Sequence, residues 1–266
     1  MSGSAGAMAC VAGALTLGGI GALASRNPEL IRKWRTWAVA APLVMVCLWS
    51  GTPGAAILAA GLGMVAAVEY GRLVKLQPAD VLVVGVAAVV LPLIAWRIPG
   101  ELGRVFAGGL LAAALVPVLG GDVATGARRA AAGVFGVAWL APLSGLVLVR
   151  GDALPLILAV SVADVGAWCA GRLFAGPYLS PLSPAKRWSG VIGGALAGCG
   201  ALAVTGAFTP VLGIAVAAGG PLGDLLESMV KRSAGVKDAG GWLPGFGGLL
   251  DRIDSLLVAL ALAVIL

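Results

Sequence analysis

A chain of 266 residues that is 60% hydrophobic and 11% charged, with mean hydropathy +1.03, has too little polar surface to coat a water-soluble domain. It reads as an integral membrane protein, and its net charge of +6 reads as topology and attraction to anionic membrane lipid, with no soluble basic face for nucleic acid. Histidine is absent, which excludes imidazole bases and ligands and leaves carboxylates to hold any cation, a hard donor set that favours Mg²⁺ over zinc.

A bilayer core takes about 20 apolar residues per helix. Ten spans are predicted, at 5 to 24, 37 to 50, 53 to 70, 79 to 96, 102 to 119, 130 to 149, 153 to 174, 189 to 207, 210 to 230 and 249 to 266. The first lacks the basic n-region of a signal peptide and is read as a helix; the second is short. With the N-terminus outside, every Lys and Arg except Arg97, Arg104 and Arg150 falls on one side, so the positive-inside rule makes that side cytoplasmic. The expected fold is an all-α polytopic helix bundle of 9 to 10 transmembrane helices forming one membrane domain. Residues 1–36 are an extra N-terminal helix and basic joint, 37–150 scaffold helices, and 151–266 the catalytic helices and loops. Glycine, 42 residues, recurs at small-xxx-small spacing, as in Gly194 to Gly198 and Gly109 to Ala113, where close backbone approach drives helix association. Cys10, Cys47, Cys169 and Cys199 are scattered singly in apolar spans and read as small core residues.

Ionisable groups inside spans are costly, so each is a functional candidate. Asp164, Trp168 and Arg172 share a helical face, and Asp164 serves either a site or an ion pair with Arg172. Asp224, Glu227, Ser228 and Lys231 form a polar stripe to the end of the ninth span. Asp251 and Asp254, with Ser255, open the last span and either bind a divalent cation or cap the helix. The joint from Gly176 to Gly190, with Ser183, Lys186, Arg187 and Trp188, is either a phosphate-binding loop or an interfacial anchor. Gly240, Gly241, Gly245, Gly247 and Gly248 lie in a loop, where missing side chains let backbone approach phosphate oxygens.

The run Ser228-x-Val230-Lys231-Arg232-x4-Lys237-Asp238-x-Gly240-x2-Leu243-Pro244-x-Phe246-Gly247-Gly248-Leu249-x-Asp251-Arg252-Ile253-Asp254 resembles the signature of phosphatidate cytidylyltransferases, the CDP-diacylglycerol synthases. Ala163-Asp164-x-Gly166-x-Trp168, Gly171-Arg172-x-Phe174 and Ser183-Pro184-x-Lys186-x-Trp188-x-Gly190 are similar to that family's second conserved region. Glu69-Tyr70 matches its acidic-aromatic pair. The likeness runs from about residue 30 to 266, with Phe246 where the family usually has His, Ser189 where it has Glu and Arg187 where it has Thr.

The resemblance implies transfer of CMP from CTP to phosphatidate, giving CDP-diacylglycerol and pyrophosphate, with the lipid phosphate as nucleophile. It implies Mg²⁺ and leaves room for a second cation, monovalent or divalent. By the same analogy Asp224, Asp251, Asp254 and Asp164 form the cation site. Lys231, Arg232, Lys237 and Arg252 hold phosphates, and Asp238 belongs to the catalytic set. Ser183, Lys186, Arg187, Ser228, Gly247 and Gly248 contact substrate. Homodimerisation is likewise a family-level expectation. The enzyme is expected in the plasma membrane with its site on the cytoplasmic side, and the lack of soluble extensions reads as a compact prokaryotic form. Rival readings are a CTP-dependent polyisoprenoid kinase, which transfers the γ-phosphoryl group, and a transporter, whose charges belong near the midplane of both halves. A CDP-alcohol phosphatidyltransferase is disfavoured, because its DG-x2-AR, G and paired-D pattern is missing.

Overall fold

The computed structural model describes residues 2–25, 27–236, 240 and 247–266. The helices are α1 (Ser2–Ser25), α2 (Pro28–Trp49), α3 (Gly51–Leu73), α4 (Pro78–Arg97), α5 (Leu102–Leu119), α6 (Gly126–Leu140) and the single turn α7 (Gly145–Leu148). They continue with α8 (Ala153–Leu173), α9 (Trp188–Val204), α10 (Pro210–Ser233) and α11 (Leu250–Ile265). Among the described residues, 7 helical segments are long and apolar enough to cross a membrane, and α9 is a shorter apolar helix of 17 residues. Leu17, Leu43, Val46, Leu111 and Val118 point outward, as lipid-facing side chains do. The chain is a multi-pass membrane protein.

Three elements depart from the sequence reading. Helix α2 starts at Pro28, not near residue 37, because the Asn27 side chain caps it by accepting the Glu29 N–H at 2.9 Å. The basic joint is therefore helical. The span predicted at 130 to 149 is broken: α6 gives way to a 3₁₀ turn at Ala141–Ser144, where Pro142 has no N–H to continue the ladder, before α7 resumes it. The joint after α8 is an antiparallel hairpin of β1 (Tyr178–Ser180) and β2 (Ser183–Arg187), pairing Tyr178 with Arg187 and Ser180 with Ser183. Its turn is helped by the Ser180 hydroxyl, which accepts the Leu182 N–H at 3.2 Å.

Small residues set the helix distances. A Cβ on Gly194 would stand 2.9 Å from the Ala163 carbonyl oxygen, so α8 and α9 touch through backbone. Leu140, Leu143, Leu146, Leu156, Leu257 and Leu260 fill the centre with no appreciable exposure. Tyr70 of α3 donates its hydroxyl to the Ala132 carbonyl of α6 at 2.7 Å and meets Trp139 edge-on at 5.9 Å between centroids.

One end of the bundle carries a buried ion network that the sequence reading did not single out. Arg129 of α6 holds Asp80 of α4 bidentately, at 2.8 and 3.0 Å, and Asp122 at 2.7 Å. Asp80 in turn accepts the Gln77 N–H at 3.1 Å. The Thr125 hydroxyl and amide, together with Arg129, hold the Asp122 carboxyl well below the usual carboxylate range. Removing the guanidinium leaves two acids uncompensated, so Arg129→Met is expected to lower the detergent melting temperature by roughly 10 °C. A depressed acid contributes above its unfolded pKa of about 4 and loses that contribution as the pH falls further. The melting deficit of Asp122→Asn should accordingly be present at pH 7 and shrink below about pH 4.

Candidate active site

Two helices bring most of the acids together. On α10 the spacing of Asp224, Glu227 and Lys231 turns all three toward α11, and α11 returns Asp251 and Asp254 one turn apart. The helices can meet this closely because Gly219 and Gly223 face the backbone of Ala259 and Asp254, where any Cβ would overlap. One carboxylate oxygen from each of Asp224, Glu227 and Asp254 lies within 4.8 Å of the other two. Glu227 is 1% and Asp254 6% exposed, and Glu227 Oε1 is buried with no hydrogen-bond partner among the described residues. Three converging carboxylates with an unengaged oxygen, offering only hard donors, fit a divalent cation such as Mg²⁺.

Asp251 lies beside this cluster. Its Oδ1 accepts Lys231 Nζ at 2.9 Å and its Oδ2 the Gly248 N–H at 2.9 Å, while Lys231 also reaches Glu227 Oε2 at 2.7 Å. Lys231 is thus a bridge between the acid group and the start of α11. From the opposite side Lys186 of β2 forms an ion pair with Asp224. Partial burial pushes the Lys186 ammonium below its ordinary pKa, against the pull of Asp254 and Asp164.

Beside this cluster lies a cavity of about 520 Å³ between α8, α9, α10, α11 and the hairpin. Asp164, Ser183, Lys186, Arg187, Asp224, Asp251, Arg252 and Asp254 all line it. Asp164 Oδ1 lies 3.4 Å from Ser255 Oγ, which is also 3.2 Å from the Gly220 carbonyl. Arg172 stacks over Trp168 at 4.7 Å, so the helix-face alternative of an Asp164–Arg172 pair gives way to a contact across helices. Arg187 donates to the Gly176 carbonyl at 2.8 Å and lies 5.0 Å over the Tyr178 ring. The Ser189 hydroxyl donates to the Phe174 carbonyl at 2.9 Å and anchors the hairpin base.

Other sequence candidates stand apart. Ser228 is half-buried and Arg232 exposed, and neither lines the cavity. Lys237, Asp238, Gly241, Gly245 and Phe246 lie outside the described residues. Gly247, at φ +84°, and Gly248 face the Asp251 carboxylate, from which a Cβ would stand 3.2 and 2.9 Å away. What these glycines admit in the described structure is the protein's own acid. Glu227 and Glu69 are the acids that the sequence-derived site set omitted. Glu227 was detectable from its i, i+3 spacing to Asp224, and Glu69 from its position inside an apolar span.

The cytidylyltransferase family model matches residues 31–266, leaving all of α1 and the first residues of α2 outside. The chain belongs to the cytidylyltransferase family. Its relatives include proteins named phosphatidate cytidylyltransferase from three bacteria. The one from Brucella suis is 46% identical over 116 residues, covering 40% of this chain and 43% of the relative. That from Mycobacterium tuberculosis is 41% identical over 111 residues, 38% of this chain and 34% of the relative. That from Haemophilus influenzae is 41% identical over 134 residues, 44% of each. The matched stretches span less than half the length of these relatives.

Proposed function

We propose that this chain is a CTP:phosphatidate cytidylyltransferase that forms CDP-diacylglycerol and releases pyrophosphate. The observation that carries the reading is the cluster of Asp224, Glu227 and Asp254, whose two aspartates line a cavity that also receives Lys186, Arg187 and Arg252. A phosphate oxygen of phosphatidate attacks the α-phosphorus of CTP, a new phosphoanhydride bond forms, and the bond to the bridging oxygen of pyrophosphate breaks. No protein nucleophile is needed, which fits a cavity without histidine or cysteine. The obstacle is the repulsion of two polyanions.

Lys186, Arg187 and Arg252 line the cavity where they can neutralise phosphate oxygens and orient the attacking lipid. Asp224, Glu227 and Asp254 would hold Mg²⁺, which when bound supplies positive charge against the nucleotide and the leaving pyrophosphate. Asp251 works through Lys231, keeping its ammonium against Glu227. The positive-inside bias of Arg72, Lys75, Arg128, Lys186 and Arg187 supports a cytoplasmic position for this end, where CTP is available and acyl chains stay in the bilayer.

Purified protein given CTP, phosphatidate and Mg²⁺ is expected to yield CDP-diacylglycerol and pyrophosphate in equal amounts. Chelation should stop the reaction, and Asp251→Asn should slow it by about 10²-fold or more. Folded protein that makes neither product overturns the reading, and phosphorylated lipid with CDP would mark a lipid kinase instead.

A further inference from the structure

Glu69 belongs to the scaffold half of the chain, yet its carboxylate ends on the reacting half. It is 3% exposed, in the last turn of α3, and its Oε1 and Oε2 accept the backbone N–H groups of Leu249 at 3.0 Å and Leu250 at 2.8 Å. These are free amides at the start of α11, immediately before Asp251. Two glycines close around the same carboxylate. A Cβ on Gly240 would meet Glu69 Oε1 at 2.9 Å, and one on Gly248 would meet Oε2 at 3.1 Å. The neighbouring Tyr70 is tied to the Ala132 carbonyl, so the turn of α3 that presents Glu69 is itself pinned to α6.

We infer that Glu69 is a positioning residue that clamps the first turn of α11 and so sets Asp251 and Lys231 against the acid cluster. The chain of contacts is continuous: Tyr70 fixes α3, Glu69 holds the Leu249 and Leu250 amides, Asp251 takes the Gly248 amide and Lys231, and Lys231 takes Glu227. A buried carboxylate on two amides fixes a helix start more firmly than a neutral cap, because both bonds are charge-assisted and the helix dipole adds to them. Glutamine in its place keeps the volume but turns one acceptor into a donor facing an N–H. The inference rests on the cytidylyltransferase reading for its consequence, though not for the clamp itself.

The test uses the full chain in nanodiscs and the variants Glu69→Gln, Glu69→Asp and Gly240→Ala, the last touching Glu69 without altering it. Hydrogen exchange of the segment 247–256 and steady-state kinetics with CTP are measured together. Glu69→Gln is expected to speed exchange of the Leu249 and Leu250 amides by about tenfold and to lower kcat by about tenfold or more, leaving KM for CTP within about threefold. Gly240→Ala should move both in the same direction, and Glu69→Asp should recover part of each. Unchanged exchange in both Glu69→Gln and Gly240→Ala overturns the clamp. Faster exchange with wild-type kcat overturns the positioning role. If the wild-type protein itself makes no CDP-diacylglycerol, the catalytic reading falls and takes the positioning role with it, while the exchange difference still decides the clamp.

Discussion

Lys231→Met is expected to remove activity by about 10³-fold and to destabilise the protein by roughly 3 to 5 kcal/mol. The ammonium pairs with both Glu227 and Asp251, at 2.7 and 2.9 Å, and its side chain is 14% exposed. Without it two acids face each other at the buried joint of α10 and α11, and each must be protonated or hydrated at the cost of helix packing. The two effects separate in a double-mutant cycle. Adding Glu227→Gln to Lys231→Met should restore part of the melting temperature, since one of the stranded charges is gone, and restore none of the turnover. Recovery of both together would mean that Lys231 acts through stability alone.

Asp254→Asn has the opposite balance. Asp254 is buried, forms no ion pair among the described residues and shares its surroundings with Asp224 and Glu227. Neutralising it relieves repulsion in the cation-free protein, so its melting temperature in chelator should equal or exceed that of the wild type. The Mg²⁺ concentration for half-maximal activity should rise by about tenfold or more, with turnover down by about 10² to 10³. Glu227→Gln should shift the Mg²⁺ requirement in the same sense. Asp251→Asn should lower turnover with a smaller shift in that requirement, because its oxygens serve Lys231 and the Gly248 amide. An equal shift for Asp251→Asn would return Asp251 to the cation site.

The helical architecture was readable because apolar run length is a one-dimensional property, and most predicted spans coincide with helices. The reading failed where local chemistry interrupts or extends a run: Asn27 and Pro28 start α2 inside a charged stretch, Pro142 breaks α6, and a Ser/Pro-rich joint pairs into a hairpin. Of the site, the residue types and their helical spacing were visible. Which acids meet was not, because that depends on how α10 and α11 are rotated about their glycine contact. Asp251 and Asp254 share a face by spacing, yet one turn of rise delivers the first to Lys231 and the second to the acid group. Glu69 acts on amides 180 and 181 residues away, a distance over which periodicity carries no information.

The backbone contact of α10 with α11 also bears on how the protein meets membranes of different thickness. Helix α11 has 16 residues, so it rises about 24 Å, less than a typical hydrocarbon core of about 30 Å. A thicker bilayer must be met by local thinning or by tilt. With Gly219 and Gly223 seated on Ala259 and Asp254, no α10 side chain lies between the two backbones at these contacts to act as a bearing, so tilt is expected to move α10 and α11 as one body. The separation of Asp224 and Glu227 from Asp254 is then set by close contact at the two glycines, and it is expected to stay constant while lipid composition changes around it.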